Sequence, residues 1–122
     1  QKISNKKKFK VLGKTNLEQK KIINDLISVQ KGGSFAVVLE SVTENLSKKI
    51  NKISKIPVIG IGASKNCDGQ ILVTEDLLGF FDSSPKFVKR YENLRSKIEK
   101  AAKKYYHDVL NGNFPSKNNI YK

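Results

Sequence analysis

The sequence is poor in the residues that most often announce a function. It has one cysteine, Cys67, and one histidine, His107. A single cysteine excludes an intrachain disulfide and fits a reducing cytoplasm. No zinc-ligand spacing exists, and Cys67 and His107 lie too far apart in sequence to suggest a nucleophilic pair. Cys67 is read as a small packed residue. No apolar run approaches the ~20 residues of a membrane span, and no signal-peptide pattern is visible, so no membrane partner is expected. Acidic residues are scarce: 11 Asp and Glu against 24 Lys and Arg, a formal charge of +13. That balance invites a nucleic-acid reading. Arginine is scarce too, however. Only Arg90 and Arg95 are present, whereas base reading and phosphate forks favour arginine. The lysines spread along the whole chain, with one dense run at Lys6-Lys7-Lys8. A solvated basic surface is the preferred account, and no nucleic-acid partner is expected.

What is present is an alternation of helix and strand patterns. The 122 residues suit one small domain or a piece of a larger one. Residues 1–14 read as a loop. Thr15 and Glu18 fit a capping box, and Leu17, Ile22, Ile23, Leu26, Ile27 and Val29 form a broad helical stripe behind it. Gly32-Gly33 stops that helix through a left-handed turn. Phe35–Leu39 is an apolar strand. Thr43 then caps a second helix with Leu46, Ile50 and Ile53 on its buried face. Residues 57–62 form a second, nearly all-apolar strand, of the kind buried in parallel sheets. Ile71, Leu72 and Val73 make a short apolar stretch, and 76–81 suggests a helical turn. Ser84-Pro85 reads as the cap and first residue of a last helix. Phe87, Tyr91, Leu94, Ile98, Ala101 and Tyr105 form its long buried stripe, and Gly112 and Pro115 end it. The tail 116–122 is polar and expected to be loosely ordered. No internal repeat or linker divides the chain.

The order helix–strand–helix–strand implies a βα repeat. Two parallel strands alone would leave apolar edges bare, an aggregation hazard. A chain opening at Gln1 with so few strands therefore reads as the C-terminal part of a longer protein.

Glu40 is the most informative residue. It is the first charge after the run 35–39, at the C-terminal end of a strand and before a helix. In (β/α) enzymes that end of the strand carries the chemistry. A carboxylate there can also simply favour the N-terminus of the next helix. Both readings stay open on position alone. Gly60-Ile61-Gly62-Ala63-Ser64 begins like a dinucleotide fingerprint, but Lys65 replaces its third glycine and no helix follows at once. A tight loop at a strand end, open to a ligand or a neighbouring strand, is preferred. Asp68-Gly69-Gln70 reads as a structural turn, with Asp68 bonding nearby amides, or as an active-site wall.

Taken in order, these segments resemble ketopantoate hydroxymethyltransferases. The resemblance rests on Phe35-Ala36-Val37-Val38-Leu39-Glu40, on 56–64 (I-P-V-I-G-I-G-A-S), and on 67–73 (C-D-G-Q-I-L-V). It continues through Asp76-Leu77-Leu78-Gly79 and Pro85-Lys86-Phe87-Val88-Lys89-Arg90-Tyr91. Val11 to Thr15 matches a V-x-G-(K/R)-T stretch, and Asp108-Val109, Gly112 and Phe114-Pro115 match the family's C-terminal pattern. Together they run from Phe9 to Pro115.

The resemblance implies an α/β fold, the C-terminal part of a (β/α)₈ TIM-type barrel present as a fragment: 1–122 as a single partial domain. It implies transfer of a hydroxymethyl group from 5,10-methylenetetrahydrofolate to 3-methyl-2-oxobutanoate, giving 2-dehydropantoate in pantothenate biosynthesis. It assigns Glu40 as the proton acceptor. A metal-polarised ketone acidifies the neighbouring C–H, and a carboxylate in a partly desolvated site gains the basicity to take that proton. Ile61, Ile71 and Val73 match substrate-pocket positions, with Ile71 and Val73 on one strand face by alternation. Mg²⁺ is the implied cofactor. Its aspartate ligands and a substrate-binding lysine are expected in an N-terminal half, so no metal ligand is assigned in this chain. A homodecamer of the complete protein and a cytoplasmic location are also implied.

Three departures stand out: Ser64 for a common glycine, Glu75 for a common histidine, and Lys117-Asn118-Asn119 for a common E-E-H. Two other readings remain. One is another metal-enolate lyase of 2-oxo-acid carbon–carbon bonds in the same barrel superfamily. The other is a non-enzymatic basic binding module, marked by salt-sensitive nucleic-acid affinity.

Overall fold

Thr15 starts the first helix as its hydroxyl accepts the Glu18 N–H at 3.2 Å. The computed structural model describes residues 10–121, so the lysine run at 6–8 lies outside the described residues. Helix α1 spans Asn16–Lys31. The other half of the expected box reaches further back. Glu18 Oε2 accepts from the N–H of Gly13 (3.2 Å) and of Lys14 (3.0 Å). At the C-terminus, Gly33 N–H donates to Gln30 O (3.1 Å) and Ser34 N–H to Val29 O (3.2 Å). This is the Schellman pair, with Gly33 at φ +86° supplying the left-handed residue.

Strand β1 is Val37–Glu40, helix α2 is Glu44–Ile53, strand β2 is Val58–Ile61 and strand β3 is Gly69–Gln70. The three strands form one parallel sheet in the order β1-β2-β3. Val37 pairs with Val58 and Glu40 with Ile61; Ile59 pairs with Gly69 and Gly60 with Gln70. The architecture is thus α/β with a small parallel sheet. Leu12, in the expected opening loop, adds one parallel bridge to Val42 beyond the end of β1.

The core lies on one face of the sheet. Leu26 of α1 and Leu46 and Ile50 of α2 pack with Leu39, Val42, Val58 and Cys67. Leu46, Ile50 and Val58 are at most 1% exposed. Each such side chain contributes about 1.5–3 kcal/mol by leaving water. Side chains alternate across a strand. Val37, Leu39 and Val58 therefore face the helices, while Val38, Glu40, Ile59 and Ile61 face the other way. That second face is only partly covered, with Val38 55% exposed. β2, expected to be apolar on both faces, is buried or half-buried at every residue, so the exposure of the second face falls on β1. Ile53, expected on the buried side of α2, is also exposed at its end.

Two sequence expectations are corrected around β3. The third strand is Gly69–Gln70, earlier than the apolar stretch 71–73. Asp68 does not bond nearby amides. Its Oδ2 accepts the Val58 N–H, ten residues back, at 2.8 Å and ties the start of β2 to the start of β3.

The chain divides into two compact units: the described residues up to Leu72 with Pro85–Val88, and Val73–Ser84 with the described residues from Lys89 onward. In the second unit, helix α3 is Thr74–Leu78 and helix α4 is Leu94–Leu110. Ser84 does not cap a helix. Its Oγ accepts from Arg90 Nε at 3.3 Å, and Asn93 caps α4 by accepting the Ser96 N–H at 3.1 Å. Tyr91 N–H donates to Leu77 O at 2.9 Å, which holds the segment before α4 to α3, and Arg95 N–H donates to Gly79 O at 3.3 Å, which ties the first turn of α4 to the α3 cap residue. The α4 stripe has the expected spacing, but no residue of α4 is buried. Residues Lys117–Asn119 of the expected loose tail form a 3₁₀ turn, with Ser116 and Asn119 bonding each other's ends. No helix among the described residues is long and apolar enough to cross a membrane.

Candidate functional site

The C-terminal ends of the parallel strands place Glu40, Ile61 and Ile71 side by side. Glu40 ends β1 and Ile61 ends β2, and the two are register partners. The β2–β3 ladder continues one step past β3, where Ile71 N–H donates to Gly60 O at 3.0 Å. Ile71 is thereby level with Ile61. By alternation all three lie on the sheet face away from α1 and α2. Neighbouring strands stand about 4.8 Å apart, so the three residues form one short row across the strand ends.

Glu40 is exposed and makes no hydrogen bond or ion pair with any described residue. The start of α2 does not employ it. Thr43 N–H donates to Leu12 O at 2.9 Å, and its hydroxyl donates to Gly13 O at 3.2 Å. The acid in the first turn of α2 is Glu44, paired with Lys48 at 2.8 Å. The helix-charging role weighed for Glu40 thus has another occupant. Ile61 is 9% exposed, whereas Ile71 is 45% exposed and Val73 49%. Val73 belongs to the second unit, where it is the N-cap residue of α3. It follows β3 and is not a strand residue, so its expected sharing of a strand face with Ile71 does not hold.

The loop after Ile61 is built around side chains, not around a bound group. A Cβ on Gly60 would meet the Gln70 amide at 3.0 Å and Cys67 Sγ at 3.1 Å. A Cβ on Gly62 would lie 2.6 Å from the Phe87 ring. Gln70 Nε2 donates to Ser64 O at 2.9 Å and closes the loop on β3. Ser64, which stands for the common glycine, is 2% exposed, and its Oγ accepts the Asn66 N–H at 3.1 Å. The close approach expected at these glycines is real, but side chains fill it.

Sequence reasoning missed Ser41. It adopts φ +52° and is the only non-glycine residue with positive φ among those described. It is 4% exposed, and its Oγ is buried without a hydrogen-bond partner among the described residues. A left-handed L-residue costs about 1–2 kcal/mol, and an unpaired buried hydroxyl about 1–3 kcal/mol. Nothing in the composition of a serine before valine signals either feature.

Among the described residues no group of three or more His, Cys, Asp or Glu side chains is placed to hold a metal ion. No described residue is assigned to the implied Mg²⁺. Cys67 is buried in the core as expected, and His107 lies exposed on α4 against the Tyr106 ring at 5.6 Å.

The sequence pattern of the family described as ketopantoate hydroxymethyltransferase matches residues 1–117. The chain belongs to this family. It is 43% identical over 113 residues to the 3-methyl-2-oxobutanoate hydroxymethyltransferase of Maricaulis maris, covering 93% of this chain and 40% of that protein. The enzyme of the same name from Phenylobacterium zucineum is 48% identical over 113 residues, covering 93% and 41%. That of Kosmotoga olearia is 45% identical over 115 residues, covering 93% and 43%. The chain thus spans about two fifths of the length of these relatives. Membership gives the resemblance drawn from 35–40, 56–64 and 67–73 an independent footing.

Proposed function

We propose that this chain is the strand-end portion of an enzyme that transfers a hydroxymethyl group from 5,10-methylenetetrahydrofolate to 3-methyl-2-oxobutanoate. The product is 2-dehydropantoate, in pantothenate biosynthesis. Its βα units belong to the C-terminal part of a (β/α)₈ barrel. The complete protein is a cytoplasmic homodecamer that uses Mg²⁺. The described residues offer no ligand set for that ion, and the roles given to this chain stand without it.

Glu40 is the base. Its carboxylate takes the proton from C3 of the keto acid, and the electron pair left behind attacks the one-carbon unit. One C–H bond breaks and one C–C bond forms. Both C–N bonds to the one-carbon unit break, water supplies the new hydroxyl, and the C3 proton and water's other proton end on the two nitrogens of the departing tetrahydrofolate. Ile61 and Ile71 form an apolar wall against the substrate's methyl groups. Val73, the residue before α3, is proposed as the third position of that wall. One observation carries the reading within a chain of this family: Glu40 is a carboxylate at a strand end with no partner among the described residues, on the sheet face away from α1 and α2, with α2 already served by Glu44.

The test is Glu40→Gln in the complete protein. Exchange of the C3 hydrogen with solvent deuterium, measured without folate, should fall by roughly 10²–10⁴, the usual worth of a general base. Keto-acid binding should persist, because the shape is kept. Exchange at the parent rate would make Glu40 a bystander and place the base elsewhere.

A further inference from the structure

Ser41 interrupts the strand directly after Glu40. Leu39 is buried, Glu40 is exposed, and Ser41 and Val42 are both buried. Two consecutive buried residues break the period of two that a strand imposes. The left-handed backbone at Ser41 makes that break possible. It ends the strand at Glu40 and turns Val42 into the core cluster.

The turn is held from both sides. Ser41 N–H donates to Ile61 O at 2.9 Å, which locks it to β2. Ser41 O accepts the Leu12 N–H at 2.8 Å, and Leu12 O in turn accepts the Thr43 N–H at 2.9 Å. Strain of this kind persists only where the surroundings over-determine it, and it gathers at functional sites. The buried Oγ, without a partner among the described residues, adds a second unfavourable feature at the same residue. A small side chain is required, because the site is 4% exposed.

We propose that Ser41 is a positioning residue for Glu40: its clamped left-handed turn fixes the strand end that aims the carboxylate away from the helix-packed face. The proposal rests on Glu40 being the base. Its role is to set the geometry of proton transfer and not to bind substrate, so it acts on kcat more than on KM.

The experiment is a series at this position in the complete protein, with Glu40→Gln run beside it. Ser41→Val puts a β-branched residue where φ is positive and should lower kcat for C3-hydrogen exchange by roughly tenfold to a hundredfold, as misplacement of a reacting group does. Ser41→Ala should lower kcat less, and Ser41→Gly, which takes this backbone freely, should stand above Ala. KM for the keto acid should stay level through the series. If Ser41→Val does not fold, the order of Gly above Ala in kcat at equal KM decides in favour. Equal kcat for Gly, Ala and the parent overturns the proposal, as does a loss seen in KM alone. Should Glu40→Gln exchange at the parent rate, it is the base assignment that fails. A collapsed Glu40→Gln beside a flat Ser41 series rejects the positioning role alone.

Discussion

Gly62→Ala should destabilise the complete protein by about 2–5 kcal/mol, from two separable sources. Gly62 sits at φ +62°, where an L-residue costs about 1–2 kcal/mol. Its Cβ would also stand 2.6 Å from Phe87 Cδ1 and 2.7 Å from Cγ, distances that real contacts do not reach. Overpacking of this kind costs about 1–3 kcal/mol. The two parts can be told apart with Phe87→Ala. That change removes the ring and leaves the backbone demand untouched. In a double-mutant cycle, the double variant should be less destabilised than the sum of the single ones by about 1–3 kcal/mol, the overpacking share. The assay is equilibrium urea unfolding, read at the midpoint with the slope checked for constancy. A Gly62→Ala variant within about 0.5 kcal/mol of the parent, the range of an uninvolved surface change, would refute both parts. An additive cycle would refute the contact and keep only the backbone demand. Because Gly62 follows Ile61, the same variant should also disturb the loop next to the proposed pocket wall.

Asp68→Ala should lose about 1.5–3 kcal/mol in urea unfolding, the worth of a hydrogen bond to a charged group, since the Val58 N–H loses its 2.8 Å partner; Asp68→Asn should recover part of it. The Lys10 ammonium, foremost, and the Lys14 amide hold the Glu18 carboxyl below its usual 4.5. A carboxyl depressed in the folded state lends stability above its unfolded value, and that stability is lost as pH falls through the folded value. Glu18→Gln should therefore flatten the acid limb of the stability profile, and an unchanged limb would dismiss the Lys10–Glu18 pair. Ile71→Ala should shrink the preference for the branched keto acid over smaller 2-oxo acids by about 1–3 kcal/mol per methylene equivalent; a lower unfolding midpoint with unchanged preference would make Ile71 ordinary core. The chain 1–122 expressed alone should show no transfer, and turnover by a well-behaved monomer would sink the barrel-segment reading.

Local signals served where one physical cause acted alone. Thr15 and the stripe through Ile22, Ile23 and Leu26 fixed α1 because capping and periodicity agree there. The apolar run at 57–62 fixed β2 to within a residue at each end. The misses share a different cause, competition from distant partners. Gly69-Gln70 has no strand composition, and Asp-Gly suggests a turn, yet Asp68 reaches Val58 and the ladder to β2 overrides the local preference. Ser84-Pro85 has the right chemistry to start a helix. Arg90 takes the serine oxygen, and Phe87 packs where Gly62 lacks a side chain, so Pro85 to Val88 form a single turn. In α4 the apolar spacing was legible but the burial was not. Periodicity names the face that could be covered, and it carries no information on what covers it.

The candidate site divides along the same line. That Glu40 ends a strand follows from composition, because a charge closes the run 35–39. Which face it occupies depends on register, and a one-residue slip would move it among Leu26, Leu46 and Ile50. The pairing of Leu39 with Gly60 sets that register. Gly60 has no side chain of its own, and Cys67 and Gln70 approach where a Cβ would stand. Slipping β1 by one residue would bring Val38 and Glu40 onto the helix side and bury a carboxylate with no partner there. Desolvating an unpaired charge is far more unfavourable than exposing one leucine. The position of Glu40 is therefore enforced mainly by what the wrong face would demand. Ser41 then ends the alternation one residue later, so Val42 can return to the core without carrying Glu40 with it.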